Sequence, residues 1–121
     1  MYKREYEPLI ENGFKQIALW QLDTVFLEPF GENEHRKYLI NRLSAYISEV
    51  LSLGLNTEIW IDGSFSTYKP DPHDVDVVFL FDENEIHDLN DRTKQLFEEL
   101  FLKSELIKAR YSVDVYFIDR N

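Results

Sequence analysis

Hydrophobic positions recur at three- and four-residue intervals between residues 34 and 53, which is typical of a helix with one apolar stripe. Asn33 is a suitable N-cap for this helix, and Gly54 stands where helices commonly end. His35 and Arg36 fall among the charged positions of the helix and are assigned no role. The stripe predicts that one helix face packs on a core, and it comprises Leu39, Ile40, Leu43, Tyr46, Ile47, Val50 and Leu51.

Three shorter apolar runs predict β-strands, over residues 57–62, 74–81 and 111–118. Beyond its two aspartates the second run is apolar on both faces, which favours a central, covered strand. Helical spacing also predicts a short helix over residues 21–30 and another over 91–102, with one more turn after Ser104. The acidic stretch 82–90 is predicted to be an exposed linker, and residues 1–19 an arm or an extra edge strand.

The order helix, strand, strand, helix, strand predicts an α/β or α+β fold, in which a small mixed β-sheet is covered by helices. At 121 residues the chain is expected to form one domain, because it is too short for two ordinary ones. Residues 1–32 are expected to form an N-terminal arm and a short helix, and residues 33–121 the core. A hydrophobic fraction of 44% supports a folded domain.

Acidic residues outnumber basic ones by 23 to 13, which gives a formal net charge of −10. Such a chain repels a phosphate backbone, so the domain alone is not expected to bind duplex nucleic acid. The absence of cysteine excludes disulfides, zinc–thiolate sites and a thiol nucleophile. No apolar run approaches the roughly 18 to 20 residues that span a bilayer, and the N-terminus is too acidic for a signal peptide. We therefore expect a cytoplasmic protein without a membrane partner.

Candidate chemistry is concentrated between residues 58 and 82. Gly63 and Ser64 follow the first predicted strand, and Asp74 and Asp76 lie two residues apart on the second. The period of two places both carboxylates on one strand face, beside the Gly-Ser turn. This arrangement suggests a divalent metal held beside a phosphate, although Asp-x-Asp before a strand is often only turn chemistry.

A third acid, Asp114, lies inside the last predicted strand, in the segment VDVYFI. An aspartate in an apolar strand needs a partner or a metal, because a buried unpaired charge is costly. If the third strand lies beside the second, Asp114 joins Asp74 and Asp76 from the same side.

The ordered set of Gly63-Ser64, Asp74-x-Asp76 and Asp114 resembles the catalytic core of the DNA-polymerase-β-like nucleotidyltransferases. It looks most like their small stand-alone members, the minimal nucleotidyltransferases, and the segments WIDGSF and DVDVV are similar to an uncharacterised bacterial branch. The resemblance covers about residues 58–82 and 111–118. It implies a fold like the palm of these polymerases.

The resemblance implies a metal-dependent transfer of NMP from an NTP, with ATP as the expected donor, to a protein, RNA or small-molecule acceptor. Asp74, Asp76 and Asp114 would be catalytic and would hold Mg²⁺ or Mn²⁺, with Asp114 serving the metal that activates the nucleophile. Gly63 and Ser64 would bind phosphate. Lys69 could reach the triphosphate, or it could be a solvated loop charge.

Larger family members carry a helical domain after the third acid, whereas seven residues follow Asp114 here. A protein partner or a homo-oligomer is therefore expected to complete the base and acceptor site, and a single transfer is favoured over polymerisation. Family members of this size are often antitoxins that AMPylate a helical RNase. The alternative is a catalytically silent module that keeps the fold and neutralises or senses a protein partner. An Asp-x-Asp glycosyltransferase is disfavoured, since such folds need about twice this length.

Overall fold

The computed structural model describes residues 7–9 and 16–119. The helices in this part of the chain are α1 (Leu22–Phe26), α2 (Glu34–Leu51), α3 (Glu83–His87), α4 (Asp91–Phe97) and α5 (Ser104–Tyr111). The strands are β1 (Glu58–Asp62), β2 (Val75–Phe81) and β3 (Val113–Asp119). Short 3₁₀ turns span Leu19–Gln21, Glu28–Phe30 and Ser64–Ser66, and a π-helical turn over Glu98–Leu102 follows α4.

The three strands form one mixed sheet in the order β1-β2-β3. β1 runs antiparallel to β2, whereas β3 runs parallel to it. A parallel neighbour requires a long crossover, and the helices α3 to α5 provide it. The predicted small mixed sheet with helices is thus confirmed as an α+β arrangement, and β2 is its central strand.

The two faces of β2 differ in burial. Alternate residues from Val75 to Phe81 are at most 3% exposed and belong to the core that the helices cover. The intervening residues Asp76, Val78 and Leu80 are only half-buried. On this second face the neighbour of Val78 on β3 is Tyr116, a residue that is 56% exposed. The sheet therefore has one covered face and one more open face, and the acids of β2 lie on the open one.

Helix α2 supplies the largest part of the core, as its stripe predicts, but the prediction was wrong for Leu51, which is 52% exposed at the end of the helix. Asn33 caps it by accepting a hydrogen bond from the backbone N–H of Arg36 at 2.9 Å. Gly54 lies just beyond its end with φ +74°, a left-handed conformation that glycine adopts without strain. Tyr46 of α2 contacts the ring of Phe79 on the sheet, and its hydroxyl donates to a backbone oxygen on the crossover.

The prediction for residues 82–90 was wrong in part, because this stretch contains α3. Asp82 caps that helix by accepting a hydrogen bond from the N–H of Asn84 at 2.8 Å. Ile86 and Leu89 pack against the core, so the acidic residues occupy only the outer side of the segment. A pattern of two apolar residues in nine is too weak to reveal a short capped helix.

One N-terminal expectation extends beyond the described residues. Of residues 1–19, positions 1–6 and 10–15 lie outside them, so the predicted arm or edge strand is seen only in part. Within the described part, Pro8 forms an isolated antiparallel bridge with Thr67.

None of the helices in residues 7–9 and 16–119 has the length and apolar character that a membrane span requires.

Candidate metal centre

Three aspartates meet at one end of the sheet. Asp76 is the register partner of Asp114 across the parallel β2-β3 pair, and Asp74 lies just before β2. One carboxylate oxygen from each residue lies within 4.8 Å of the other two, and all three residues are half-buried. The residues predicted to be catalytic are therefore brought together, and the strand pairing on which that prediction depends is present.

The Gly-Ser turn lies directly against this cluster. Gly63 follows β1 with φ +77°, in the left-handed region. A Cβ atom added at Gly63 would lie 2.1 Å from Oδ2 of Asp76, a separation that real Cβ atoms essentially never show. Gly63 therefore allows both the turn and the close approach of the Asp76 carboxylate. Ser64 comes next in the chain and begins the 3₁₀ turn.

One cation, Lys108 of α5, contacts the cluster in the described part of the chain. Its Nζ lies 3.2 Å from Oδ2 of Asp74 and 3.2 Å from Oδ1 of Asp114. Hydrogen bonds to Asp114 and Asp74 raise the pKa of the ammonium group. Lys108 does not bond to Asp76, which receives no hydrogen bond from the described residues. The outer two carboxylates are thus paired, and the central one is not.

The surroundings of Asp76 disfavour the charged form of its carboxyl group. Partial burial raises its pKa above the usual 3.8, and the charges of Asp74, Asp114 and Asp62 raise it further. Asp62 is the register partner of Asp76 on β1, so acids occupy the same row on all three strands. Lys108 lowers the pKa only in part. A cation that contacts Asp76 would relieve this repulsion.

This raised pKa predicts that Asp76→Asn stabilises the protein in a chelating buffer at neutral pH. A carboxyl whose pKa is higher in the folded state destabilises the fold while it is ionised. The destabilisation is complete at a pH above the pKa of the folded protein. It is lost as the pH falls through that pKa towards the lower pKa of the unfolded chain. We expect a gain of no more than about 1 kcal/mol, since water reaches the carboxylate. Thermal melts from pH 4 to 8 measure it.

Asp71→Asn is the matched control, because it removes one negative charge from an exposed loop position. The gain from Asp76→Asn should exceed that of Asp71→Asn at pH 7 and shrink as the pH approaches 4. A lower melting temperature for Asp76→Asn than for the control at pH 7 would contradict the repulsive role of this carboxylate.

A buried arginine fixes the loop that connects the Gly-Ser turn to Asp74. Arg36 of α2 is completely inaccessible to solvent, and no carboxylate pairs with it among the described residues. Its five N–H donors are all satisfied by backbone carbonyls at 2.6 to 3.2 Å, two of the bonds going to one oxygen. The acceptors are the carbonyls of Phe26, Phe65, Thr67 and Lys69. Burial lowers the pKa of Arg36 to about 10, so the guanidinium stays charged.

Neighbouring residues of α2 extend this contact along the loop. The Asn33 side chain donates to the carbonyl of Pro70 at 2.8 Å, and a ring nitrogen of His35 bonds to the carbonyl of Pro72. The guanidinium of Arg36 also lies 3.7 Å from the centroid of the Phe30 ring. The N-terminal turn of α2 therefore holds the loop carbonyls between residues 65 and 72 in place, and with them the approach to Asp74.

Two further residues, Ser64 and Lys69, were predicted to bind phosphate. The Ser64 hydroxyl makes no hydrogen bond to another described residue, so it is available to donate one to a ligand. Lys69 is half-buried and has no described contact with the three acids, while its carbonyl accepts a hydrogen bond from Arg36.

The roles of Arg36 and Lys108 in the site were missed by the sequence analysis. A signal for Arg36 exists, because it lies in phase with the apolar stripe, three and four residues before Leu39 and Ile40.

The sequence from residue 7 to residue 121 matches the model of a family described as "Family of unknown function (DUF6932)". The chain belongs to this family. No curated protein and no solved structure matches the chain. The three acids, Gly63 and Arg36 all lie inside the matched residues.

Proposed function

We propose that this chain is a metal-dependent nucleotidyltransferase of the DNA-polymerase-β-like superfamily, with a fold like the palm of those polymerases. One observation carries the proposal: oxygens of Asp74, Asp76 and Asp114 lie within 4.8 Å of one another, and Gly63 lies against Asp76. A helix-covered mixed sheet whose acids lie on the more open face supports it. The order of these residues along the chain matches the pattern on which the resemblance rests.

The donor set fits a hard divalent cation. Mg²⁺ and Mn²⁺ prefer oxygen ligands, and three carboxylates with no nitrogen or sulfur ligand meet that preference. Oxygens bound to one Mg²⁺ at about 2.1 Å lie about 3 to 4 Å apart, so small side-chain rotations would bring these three onto one ion. Asp76 is the carboxylate without a cationic partner in the cluster, which favours the same conclusion.

In the proposed reaction, a hydroxyl oxygen of the acceptor forms a bond to the α-phosphorus of the NTP. The bond from that phosphorus to the bridging oxygen breaks, and pyrophosphate leaves with the electron pair. Asp114 accepts the hydroxyl proton, Ser64 donates a hydrogen bond to a phosphate oxygen, and Gly63 leaves room for the triphosphate. Bound Mg²⁺ supplies electrostatic stabilisation of the charge on the phosphates. The protein's contribution is mainly positioning.

ATP is the proposed donor, and the acceptor is a protein, an RNA end or a small molecule. A protein partner or a second copy of the chain would complete the base and acceptor site. A cytoplasmic antitoxin that AMPylates a protein partner is one form of this function. Lys69 is proposed to contact the triphosphate, because it lies on the loop between Ser64 and Asp74.

The test is thermal melting with ATP, GTP, CTP or UTP, with Mg²⁺ or with a chelator, on the wild type and Asp76→Asn. A ligand at a hundred times its dissociation constant adds about 2.7 kcal/mol to the free energy of unfolding. For a domain of this size the melting temperature should rise by on the order of 5 to 15 °C. We expect the rise to require Mg²⁺ and to be absent in Asp76→Asn.

Asp71→Asn controls for the change in net charge and should keep the full rise. Transfer itself is followed with NTP labelled on the α-phosphate, using the chain and its co-purifying proteins as acceptors. If no Mg²⁺–nucleotide pair changes the melting temperature, the proposed nucleotide site is wrong. A rise that persists in Asp76→Asn would overturn the role of the acids.

The second candidate is a catalytically silent module that binds a protein partner, and Lys108 is the observation that favours it. Its ammonium pairs with Asp74 and Asp114 without any metal, so two of the three carboxylates share one internal counter-charge. Of the three acids, only Asp76, which has no cationic partner in the cluster, then argues against a catalytically silent site. Asp76→Asn separates the two functions, since partner binding would survive in both and labelling of the partner would stop only if the chain is an enzyme.

A further inference from the structure

We infer that Lys108 is an internal competitor of the divalent cation, so that its ammonium group must leave Asp74 and Asp114 before these carboxylates can bind the metal. The inference rests on the proposed metal site and adds a residue of this chain that sets the affinity of that site. Lys108 lies on α5, outside the segments in which the acids and the Gly-Ser turn occur.

The position of the ammonium group carries the argument. Nζ of Lys108 bridges the two outer carboxylates, at 3.2 Å from Oδ2 of Asp74 and 3.2 Å from Oδ1 of Asp114, and it lies 3.3 Å from Oδ2 of Asp114. It thus contacts both oxygens of Asp114. Because these are the oxygens that a divalent ion would need, the two cations compete for one set of ligands.

Electrostatics makes simultaneous binding unfavourable. A divalent ion on Asp76 and its neighbours would lie a few ångströms from Nζ, where like charges repel even in a well-hydrated site. The Lys108 side chain can move its ammonium group into solvent, because 54% of the side chain is accessible and its four-carbon stem is flexible. The metal-free protein therefore has a partly neutralised site, and metal binding exchanges one cation for another.

The experiment titrates Mn²⁺ into the protein at constant ionic strength and follows the heat of binding. Lys108→Met is compared with the wild type, with Lys108→Arg and with Lys103→Met. Lys103 is an exposed lysine just before α5, so its substitution makes the same change in charge without removing a contact to the acids. We expect Lys108→Met to bind Mn²⁺ about tenfold more tightly than Lys103→Met, because two exposed ion pairs no longer have to be broken. Lys108→Arg should remain near the wild type.

An equal or weaker affinity in Lys108→Met than in Lys103→Met would overturn the inference. Asp76→Asn keeps this failure apart from failure of the proposed function. If Lys108→Met gains no affinity while the wild type binds Mn²⁺ and Asp76→Asn does not, the metal site stands and only the competition is wrong. If neither the wild type nor Lys108→Met binds Mn²⁺, the metal site and the inference both fail. Binding by Lys108→Met alone would support the competition strongly.

A measurement on the wild type covers the case in which Lys108→Met does not fold. In protein with ¹³C-labelled lysine, the Cε signal of Lys108 is assigned from its absence in Lys108→Arg. Addition of Mg²⁺ should move this signal towards the position of a solvent-exposed lysine and leave Lys103 unchanged. A Lys108 signal that stays in place while Mg²⁺ binds would show that the ammonium keeps its carboxylates.

Discussion

Arg36→Met is expected to lower the free energy of unfolding by about 3 to 5 kcal/mol, because it leaves several buried backbone carbonyls without a hydrogen-bond donor. Methionine fills a similar volume but donates no hydrogen bond, so the carbonyls of Phe26, Phe65, Thr67 and Lys69 lose their donor inside the protein. Each buried polar group without a partner costs about 1 to 3 kcal/mol. The melting temperature should fall by more than about 10 °C.

Lys37→Met is the matched control for Arg36→Met, because Lys37 is the exposed neighbour on the same helical turn. It should change the melting temperature by no more than about 2 °C. Arg36→Lys separates charge from geometry, since lysine keeps the charge but cannot place five donors in a planar fork. We expect it to recover only a minor part of the lost stability. A stability for Arg36→Met equal to that of Lys37→Met would show that the loop does not depend on the guanidinium.

Gly63→Ala is expected to destabilise the protein by about 2 to 6 kcal/mol and to remove its response to Mg²⁺ and nucleotide. A side chain at φ +77° and ψ −164°, a region that essentially only glycine occupies, costs about 1 to 3 kcal/mol. The added Cβ would overlap Oδ2 of Asp76 at 2.1 Å, and relief of such an overlap costs about 1 to 3 kcal/mol more. The Asp76 carboxylate must turn away, which moves it out of the cluster. Melts with and without Mg²⁺ and ATP measure both effects.

Gly54→Ala is the control for a side chain at positive φ without the contact with Asp76. Gly54 has φ +74°, and a Cβ atom there would meet nothing within 4 Å. This variant should lose about 1 to 2 kcal/mol and keep the full rise in melting temperature with Mg²⁺ and ATP. If Gly63→Ala and Gly54→Ala lose the same stability and both keep that rise, the close approach of Gly63 to the acid has no functional consequence.

The placement of the three acids could be predicted because it depends on local rules. A period of two puts Asp76 on one face of an apolar strand, and an acid inside the last strand is conspicuous by its apolar neighbours. Their meeting required one further fact, the pairing of β2 with β3. No periodicity in a single sequence specifies strand order, so this part of the prediction was conditional until the register of Asp76 with Asp114 was known.

Arg36 and Lys108 were missed because their partners are distant in the sequence. The carbonyls that satisfy Arg36 come largely from a loop about thirty residues away, and backbone carbonyls leave no trace in residue type. Lys108 looks like an ordinary exposed lysine in a short helix, and its partners include Asp74 on the other side of the crossover. Sequence patterns reveal what a residue is, whereas these two roles depend on what the fold places beside it.

The parallel register of β2 and β3 has a consequence for how the protein folds. Asp76 and Asp114 become neighbours only when residues 82–112 have closed the crossover between the two strands. Closing a long loop reduces chain entropy before the strand contacts compensate, so this pairing is expected to form late. A cation bound by both acids stabilises only conformations in which the crossover is closed. Occupancy of the acidic cluster and completion of the C-terminal third of the fold are therefore one coupled equilibrium.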